Sequence, residues 1–278
     1  MQLHTIDTGY FKLDGGAMFG VVPKSIWIKL NPPDENNMCT WALRCMLAQD
    51  GDRLILIDNG IGDKQDAKFF GHYYLHGEDT LDKSLKQLGY HRSDITDVIL
   101  THLHFDHCGG SIIRAGEKLI PAFEKAVYWS NERHWKWATQ PNEREKASFL
   151  KENILPIHES GQLKFLEGNE SNLPTGLSIL QAYGHTDAMM LPKCQYKGRT
   201  VVFMADLLPS AAHIPLPYVM AYDMFPLTTL QEKKSFLTEA VEQDYVLFFE
   251  HDPQIECCTL QQTEKGIRVK ETFKLSEL

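Results

Sequence analysis

The sequence lacks the features that mark membrane, nucleic-acid-binding and secreted proteins. No apolar run reaches the length that crosses a bilayer. The 28 Lys and Arg are outnumbered by 37 Asp and Glu, and they form no cluster of the kind that contacts nucleic acid. The amino terminus has neither the basic start nor the apolar stretch of a signal peptide. We therefore expect a cytoplasmic protein with no nucleic-acid or membrane partner.

The six cysteines do not form a disulfide framework. Cys257 and Cys258 are adjacent, the others are scattered in apolar contexts, and no CxxC pair occurs. This pattern indicates reduced thiols. The 278 residues contain no low-complexity segment or linker and can bury a sizeable core. We expect a single domain over 1–278, with two β-rich halves that divide near Gly161.

Apolar runs too short for helices alternate with helical patterns, which predicts a mixed α/β fold. Residues 41–47 and 53–57 are predicted to pair as strands around a hairpin turn at Asp50-Gly51-Asp52. Residues 15–23 are small and apolar with no helical period, which predicts a loop. Further strands are predicted at 97–100, 177–180, 200–204 and 245–249, and helices at 80–88, in the Trp-rich segment 129–155, and from a Thr229–Glu232 capping box to about Gln243.

One stretch carries most of the chemistry of the chain. It reads Thr-His-Leu-His-Phe-Asp-His-Cys-Gly-Gly over residues 101–110 and follows the predicted strand at 97–100 directly. Three imidazoles and a carboxylate so close together would repel one another on protonation and leave many polar atoms to satisfy. A divalent metal resolves both problems, and a nitrogen and oxygen ligand set suits zinc or a similar first-row ion. The stretch therefore predicts a metal site.

Three more potential ligands follow predicted strands. His185, Asp206 and His251 each come just after an apolar run. Taken singly, these residues have ordinary interpretations as a turn residue, a helix cap and a histidine without a special role. Ligands bind at the carboxyl ends of strands in open α/β sheets, and such strand ends converge in space. We therefore expect all three residues at the same site.

The order of these residues resembles the metallo-β-lactamase superfamily along nearly the whole chain. The resemblance implies an α/β (α+β) fold, a four-layer αββα sandwich with the metal site at the sheet edge. It also implies two divalent metal ions, with zinc first and manganese, iron or cobalt as alternatives. The ligands implied for the first ion are His102, His104 and His185, those for the second are Asp106, His107 and His251, and Asp206 is implied to bridge the two.

Two segments bring the resemblance closer to one group, which contains the N-acyl homoserine lactonases and the methyl parathion hydrolases. They are residues 13–20 and the run His104-Phe105-Asp106-His107. A glutamate at position 104 would have indicated the di-iron oxygen-reducing branch, whereas histidine there indicates hydrolysis. Asp58 resembles an aspartate that steadies the ligand loop of the family.

The sequence departs from this pattern in two places. After Gly184-His185-Thr186 the family commonly has Pro-Gly, whereas this chain has Asp-Ala. The lactonases also carry a catalytic tyrosine shortly after the bridging aspartate, but Asp206 is followed by Leu-Leu-Pro-Ser. His213, Tyr218 or Tyr222 could replace that tyrosine, and nothing in the sequence selects one of them.

The resemblance implies a dinuclear metal-dependent hydrolase whose metal-bridging hydroxide attacks esters, lactones or phosphotriesters of partly apolar small molecules, N-acyl homoserine lactones among them. Asp106 and Asp206 would offset the charge of the ions and pass a proton to the leaving group. His213 and Tyr222 are further catalytic candidates. Residues 15–22 and 211–220 contain few charges, and they suit a pocket lining and core packing equally well.

Two functions of other classes stay open on the same ligand set. One is an iron-dependent thiol or persulfide oxidoreductase, which oxygen uptake with thiol substrates would reveal. The other is a non-catalytic metal-binding protein, although a purely structural site is usually closed by four Cys or His ligands. A homodimer also stays open.

Overall fold

The computed structural model describes residues 1–166 and 172–278. Its strands extend from the second residue almost to the carboxyl terminus. They are β1 (Gln2–Asp14), β2 (Met38–Asp50), β3 (Arg53–Ile57), β4 (Asp97–Ile99), β5 (Ile112–Ala115), β6 (Lys118–Pro121), β7 (Val127–Ser130), β8 (Leu163–Phe165), β9 (Leu177–Ala182), β10 (Met189–Tyr196), β11 (Arg199–Phe203), β12 (Val246–Phe248), β13 (Cys257–Thr263) and β14 (Gly266–Phe273).

The helices are mostly short and lie between the strands. None of those in the described ranges combines the length and apolar character needed to span a bilayer. They are α1 (Gly15–Phe19), α2 (Lys24–Trp27), α3 (Ala67–Phe70), α4 (Leu81–Gln87), α5 (Phe105–Cys108), α6 (Glu132–Thr139), α7 (Lys151–Glu159) and α8 (Pro226–Glu242).

The strands form two six-stranded sheets and one small hairpin. The first sheet has the order β1-β2-β3-β4-β7-β8, the second has the order β14-β13-β12-β11-β10-β9, and β5 pairs with β6. Each large sheet is therefore built from one continuous part of the chain, and the change of sheet falls between Phe165 and Leu177.

Alternation along β3 shows how the layers pack. Ile55 and Ile57 belong to the core cluster that contains Val201 and Phe203 of β11, so this face of the first sheet packs on the second sheet. Leu54 and Leu56 face the other way, into the cluster that includes Leu81 and Leu85 of α4. Helix α8 packs against β13 of the second sheet. The result is the predicted helix–sheet–sheet–helix sandwich.

Most of the predicted strands are confirmed. Strands β2 and β3 pair with Asp50 opposite Arg53, which leaves a two-residue turn, and Gly51 of that turn has a φ of 58°. The strands predicted at 97–100, 177–180, 200–204 and 245–249 correspond to β4, β9, β11 and β12. The sequence patterns did not predict the remaining strands, which are β1, β5, β6, β7, β8, β10, β13 and β14.

Two helix predictions were wrong in part. Trp129 does not begin a helix but lies in β7, opposite Ile99, and the helix-prone segment splits into α6 and α7 around Pro141. Helix α8 begins at Pro226, whose ring is pre-set for a first helical position, so Thr229 lies inside the helix. Glu232 closes no capping box there, because its carboxylate accepts the backbone N–H groups of residues 183 and 184.

The loop predicted at residues 15–23 is also wrong in part, because its first half is helix α1. Asp14 caps that helix by accepting a hydrogen bond of 2.8 Å from the backbone N–H of Ala17. A five-residue helix is too short to show a period in the sequence, so the cap was the only signal.

Asp97 ties three elements of the first sheet together. Its carboxylate accepts hydrogen bonds from Arg53 Nη2 at 2.6 Å, from Trp129 Nε1 at 2.8 Å and from Thr96 Oγ1 at 2.7 Å. Burial alone would raise the pKa of Asp97, but these hydrogen bonds outweigh burial and lower that pKa. The ionised carboxylate is therefore the form that the fold stabilises.

Asp97→Asn is expected to lower the free energy of unfolding at neutral pH by about 1–3 kcal/mol, because it removes the charge from these hydrogen bonds. A carboxyl group whose pKa is lower in the folded than in the unfolded state stabilises the fold at pH values above its unfolded pKa of about 4. This stabilisation is lost as the pH falls through the folded pKa. The difference in free energy of unfolding between the parent and Asp97→Asn, measured by denaturant unfolding, should thus shrink toward acidic pH. Asp52→Asn, in the exposed hairpin turn, is the control. A deficit that does not change with pH would contradict this role.

Candidate metal centre

The His-rich stretch leaves β4 and passes over the carboxyl end of the first sheet. Leu103 packs into the core between the first sheet and its helices. His102 and His104, on either side of it, meet with their ring nitrogens Nε2 and Nδ1 only 3.0 Å apart. The backbone alternation of the loop therefore brings the two imidazoles together while its apolar residue is buried elsewhere.

Two glycines let this loop lie against the segment that follows β3. A Cβ atom on Gly109 would lie 2.1 Å from the carbonyl oxygen of Ile61, and one on Gly110 would lie 2.2 Å from that of Asn59. These distances exclude any side chain. Asn59 N–H donates to the His107 carbonyl at 2.9 Å, which closes the contact between the two segments.

Four buried residues form a first group of potential ligands, namely His102, His104, His185 and Asp206. His185 Nε2 lies 3.2 Å from His104 Nδ1 and 3.1 Å from Asp206 Oδ2. The ligand atoms of the group all lie within 4.8 Å of one another. Three strand-end loops, those after β4, β9 and β11, thus deliver one compact set of nitrogen and oxygen donors.

Three further residues form a second group, namely Asp106, His107 and His251. His107 Nε2 and His251 Nε2 are 3.2 Å apart, and Asp106 Oδ2 lies 3.7 Å from His251 Nε2. Asp206 lies between the two groups, because its Oδ1 is 3.3 Å from His251 Nε2 and its Oδ2 is 3.1 Å from His185 Nε2. The structure thus brings together all seven residues that the sequence analysis named as ligands.

In each of the five imidazoles, the ring nitrogen that faces away from the centre is engaged by an acceptor. This leaves the inner nitrogen with a free lone pair, as a metal ligand requires. The outer bonds are His102 Nδ1 to Thr101 Oγ1 (3.1 Å), His104 Nε2 to Glu145 (2.9 Å), His107 Nδ1 to Asp58 (3.1 Å), His185 Nδ1 to Asp223 (2.8 Å) and His251 Nδ1 to the Ala42 carbonyl (2.8 Å).

The inner atoms of this arrangement fit cations. Inner imidazole nitrogens and a carboxylate oxygen lie 3.0–3.3 Å from one another. Each neutral ring uses its one N–H in its outer hydrogen bond, so no proton remains to lie between these inner atoms. Asp206 Oδ1 is buried and accepts no hydrogen bond. Such buried acceptors are costly unless a cation or a proton lies among them. The seven residues can therefore hold metal, and their nitrogen and oxygen donors suit a first-row divalent ion.

Protons compete with a cation for these nitrogens. Burial alone would lower the pKa of His185, but the carboxylates of Asp206 and Asp223 outweigh it and raise this pKa to about 10. Burial would raise the pKa of Glu145, but its hydrogen bond with His104 and that from Trp137 hold it at about 2. Glu145 is therefore ionised at neutral pH and acts as an acceptor for His104.

The anchoring residues were largely missed by the sequence analysis. Asp58 was expected to steady the loop, and its carboxylate indeed accepts hydrogen bonds from the Thr101 N–H at 2.8 Å and from the Thr101 hydroxyl at 2.6 Å. Glu145 and Asp223 belong to loops without a recognisable motif, so no sequence signal could have identified them. Glu250, with its carboxyl 3.0 Å from His107 Nδ1, adjoins the ligand His251 in sequence, which was the one available hint.

The centre opens into a cavity of about 290 Å³. The predicted apolar segments each supply one of its walls, through Met18 and Met220. Besides the ligands and Glu145, Arg144, Ser148 and Tyr222 are its polar lining residues. Its apolar lining is formed by Leu13, Met18, Phe105, Met220, Ala221 and Met224.

The three candidates for the missing tyrosine lie in different places. Tyr222 lines the cavity, but His213 and Tyr218 do not. His213 is buried, stacked on Phe19 with ring centroids 4.9 Å apart. Its Nε2 donates to the Met18 carbonyl at 2.9 Å, and its Nδ1 accepts from Ser210 Oγ at 2.8 Å. Both nitrogens of His213 are thus occupied, Nε2 in joining the loop after β11 to helix α1 and Nδ1 within that loop.

The turn after His185 is held by the start of helix α6. Ala188 has a φ of 59°, a left-handed conformation that glycine adopts more readily. Asn131 Nδ2 donates to the Ala188 carbonyl at 2.6 Å, and Arg133 forms two 2.7 Å bonds with the Asp187 carboxylate. His134 Nδ1 donates to the Asp187 carbonyl at 2.6 Å. These contacts hold the turn although the usual Pro-Gly is absent.

His134 also joins this turn to the first ligand loop. Its Nε2 accepts a 2.9 Å hydrogen bond from the backbone N–H of Leu103, between the ligands His102 and His104. Burial lowers the pKa of His134 to about 4, so the ring is neutral and can both donate and accept at neutral pH. One buried imidazole thus spaces two of the three loops that supply the first group of potential ligands.

Comparison with known proteins agrees with this centre. The sequence model described as the metallo-beta-lactamase superfamily matches residues 44–251. An N-acyl homoserine lactonase of Bacillus cereus is 24% identical over 265 residues, which cover 91% of this chain and 96% of that protein. The structure of a probable metal-dependent hydrolase from Staphylococcus aureus matches with a TM-score of 0.88 at 28% identity, covering 100% of this chain and 98% of its own.

A more distant structural neighbour shares the fold. AidC, described as a dizinc quorum-quenching lactonase in complex with a product, matches with a TM-score of 0.79 at 20% identity, over 98% of this chain and 94% of its own. At that identity the match supports the fold alone.

His134→Leu is expected to weaken metal retention by about tenfold or more, because positions that orient metal ligands typically contribute on this scale. His134→Gln, whose amide can donate and accept once each, should lose less. The measurement is metal content during titration with a chelator, and His158→Leu, at an exposed position of α7, is the control. If His134→Leu retains metal as the unaltered protein does, the two hydrogen bonds do not space the ligand loops.

Proposed function

The chain belongs to the metallo-beta-lactamase superfamily and is a metal-dependent hydrolase, and we propose that it uses two divalent ions to hydrolyse lactones and esters of partly apolar small molecules. The observation that carries this proposal is the position of Asp206. Its carboxylate lies between the two groups of ligands, 3.1 Å from His185 and 3.3 Å from His251, with one buried oxygen that accepts no hydrogen bond. A carboxylate shared by two cations satisfies both oxygens.

The two groups of potential ligands would surround their two ions with different charges. The first group offers three imidazoles, and the second offers two imidazoles and the Asp106 carboxylate, with Asp206 shared between them. Zinc is the ion that we propose, because imidazole and carboxylate ligands are those it takes in catalytic sites. When bound, the ions would activate water as a nucleophile and polarise the scissile carbonyl.

The remaining chemistry falls to the protein. Asp106 and Asp206 supply two negative charges next to the reacting centre and so limit its net positive charge. The apolar wall of the cavity, with Met18 and Met220, excludes water and can hold a methylene chain or an aromatic ring. Such a lining favours lactones and esters over polyphosphates. The lactonase activity for which the Bacillus cereus relative is named supports the same substrate class.

We assign the proton transfer to the leaving group to Tyr222. It lines the cavity together with Asp106 and Asp206 and precedes Asp223, the anchor of His185. Although 37% of the residue's surface is exposed, desolvation of its phenol oxygen and the neighbouring carboxylates raise its pKa, so the phenol keeps its proton at neutral pH. A protonated phenol can donate a hydrogen bond, and then a proton, to a departing alkoxide.

The dinuclear proposal is tested by Asp206→Asn on metal-verified protein. An amide can offer one oxygen without charge, so metal content should fall from about two ions per chain toward one, and turnover of N-hexanoyl homoserine lactone and phenyl hexanoate should fall with it. Asp63→Asn, at an exposed position, is the control. A variant with full metal content would exclude the bridging role, and absence of turnover of any lactone or ester by the metal-loaded parent would exclude the proposed substrates.

Tyr222→Phe is expected to lower kcat for alkyl esters and lactones by about a hundredfold, a typical contribution of a general acid, with metal content unchanged. Esters with a good leaving group, such as p-nitrophenolate, need little protonation and should be affected far less. Tyr218→Phe, outside the cavity, serves as the control. An equal loss on good and poor leaving groups would show that Tyr222 only shapes the cavity.

A further inference from the structure

Arg144 is the only lysine or arginine among the described residues that line the metal cavity. We propose that Arg144 and Ser148 form a binding subsite for a carboxylate at the far end of the substrate, so that the preferred substrates are esters or lactones with an anionic tail. This inference rests on the proposed hydrolase function and specifies the substrate class for it.

Arg144 has no carboxylate partner within the described parts of the chain. Its one side-chain hydrogen bond to the described residues runs from Nη2 to the backbone carbonyl of Ala221, across the mouth of the cavity. A guanidinium has five N–H donors, so most of them stay available to a ligand. Five other arginines are ion-paired, in the pairs Arg44–Asp7, Arg53–Asp97, Arg92–Asp82, Arg133–Asp187 and Arg199–Asp244.

The acidic neighbours of Arg144 in sequence do not neutralise it. Glu143 pairs with Lys146. Glu145 turns inward, where its carboxylate accepts hydrogen bonds from His104 at 2.9 Å and from Trp137 at 2.6 Å. Both carboxylates are therefore engaged elsewhere, and among the described residues the guanidinium at the cavity mouth has no ion-pair partner.

Ser148 adds a second donor to the same wall. It follows Arg144 by four residues, and its backbone is fixed by a hydrogen bond from the Phe105 N–H to its carbonyl at 3.0 Å. Its hydroxyl makes no hydrogen bond to the described residues, and it lines the cavity. A guanidinium and a hydroxyl on one wall are donors of the kind that bind carboxylates in charge-assisted hydrogen bonds.

The rest of the cavity determines what the carboxylate is attached to. Met18, Met220 and Met224 line the space that Arg144 and the metal ligands share. Thioether side chains adapt to flexible methylene chains. The cavity therefore suits a molecule with a scissile carbonyl at the metal centre, an apolar chain along the methionines and an anionic group at Arg144.

The contact with Ala221 suggests a plainer role, in which Arg144 only braces two walls of the cavity. Arg144→Gln separates the two roles, because its amide can still donate to the Ala221 carbonyl but carries no charge. The probes are monophenyl esters of the diacids from succinate to suberate, each compared with its neutral twin in which the free carboxyl is methylated. The readout is the ratio of kcat/KM for the anionic and the neutral ester of the same length.

For the parent protein, the best-fitting chain length should favour the anion roughly tenfold, mainly through KM, since one charge-assisted contact contributes on that scale. This preference should fall as the ionic strength rises. Arg144→Gln should bring the ratio to about one, and Ser148→Ala should lower it by a smaller factor. Lys146→Gln, whose side chain does not line the cavity, should keep the ratio. A parent ratio near one, or an equal loss on both esters, would overturn the proposal.

Direct binding keeps the test independent of turnover. The affinity of adipate relative to hexanoate, measured by calorimetry, reports a second carboxylate on a chain of the same length. We expect adipate to bind roughly tenfold more tightly to the parent protein and the preference to vanish in Arg144→Gln. If neither ester is hydrolysed but this preference is present, the proposed ester hydrolysis fails and the subsite stands. If esters are hydrolysed without such a preference, the subsite alone fails.

Discussion

Five imidazoles and two carboxylates are buried together at the ends of strands, and their unshared electron pairs meet at little more than 3 Å. This convergence is the constraint on which the rest of the structure depends, since each of these groups would be better solvated apart. Contacts that surround the centre hold these mutually repelling groups in place. A hydrogen bond to the outer nitrogen of each ring fixes its orientation, and the contact of Gly109 and Gly110 with the segment after β3 leaves the ligand loop no room to relax.

The contacts that hold the centre also shape the cavity above it. One short loop supplies Met220 to the apolar wall, Tyr222 to the mouth and Asp223 to the outer nitrogen of His185. Across the cavity, the segment before α7 supplies Arg144 to the mouth and Glu145 to the outer nitrogen of His104. In both walls, residues that line the cavity are therefore sequence neighbours of residues that hydrogen-bond the candidate ligands.

The loop after β11 shows this arrangement at the proposed proton donor. The loop after β11 lacks the tyrosine that follows the bridging aspartate in the lactonases, and the same loop brings Tyr222 to the cavity sixteen residues later. His213 does not compensate for the loss, because its Nε2 holds the loop to helix α1 and its Nδ1 is bonded to Ser210 within the loop. The proposed proton donor thus comes from the end of the loop that also anchors a ligand.

The sequence by itself determined the seven residues that we propose as ligands and most of the strands that carry them. Metal ligands must be particular residue types at strand ends, and apolar runs of strand length are visible locally. The tertiary structure alone decided which residues orient the ligands and which side chains reach the cavity. Glu145, Asp223 and His134 act across 38 to 53 residues of sequence on partners that only the folded chain brings near, so no local pattern marks them. The choice of Tyr222 over His213 likewise depended on where the loop runs, which packing determines.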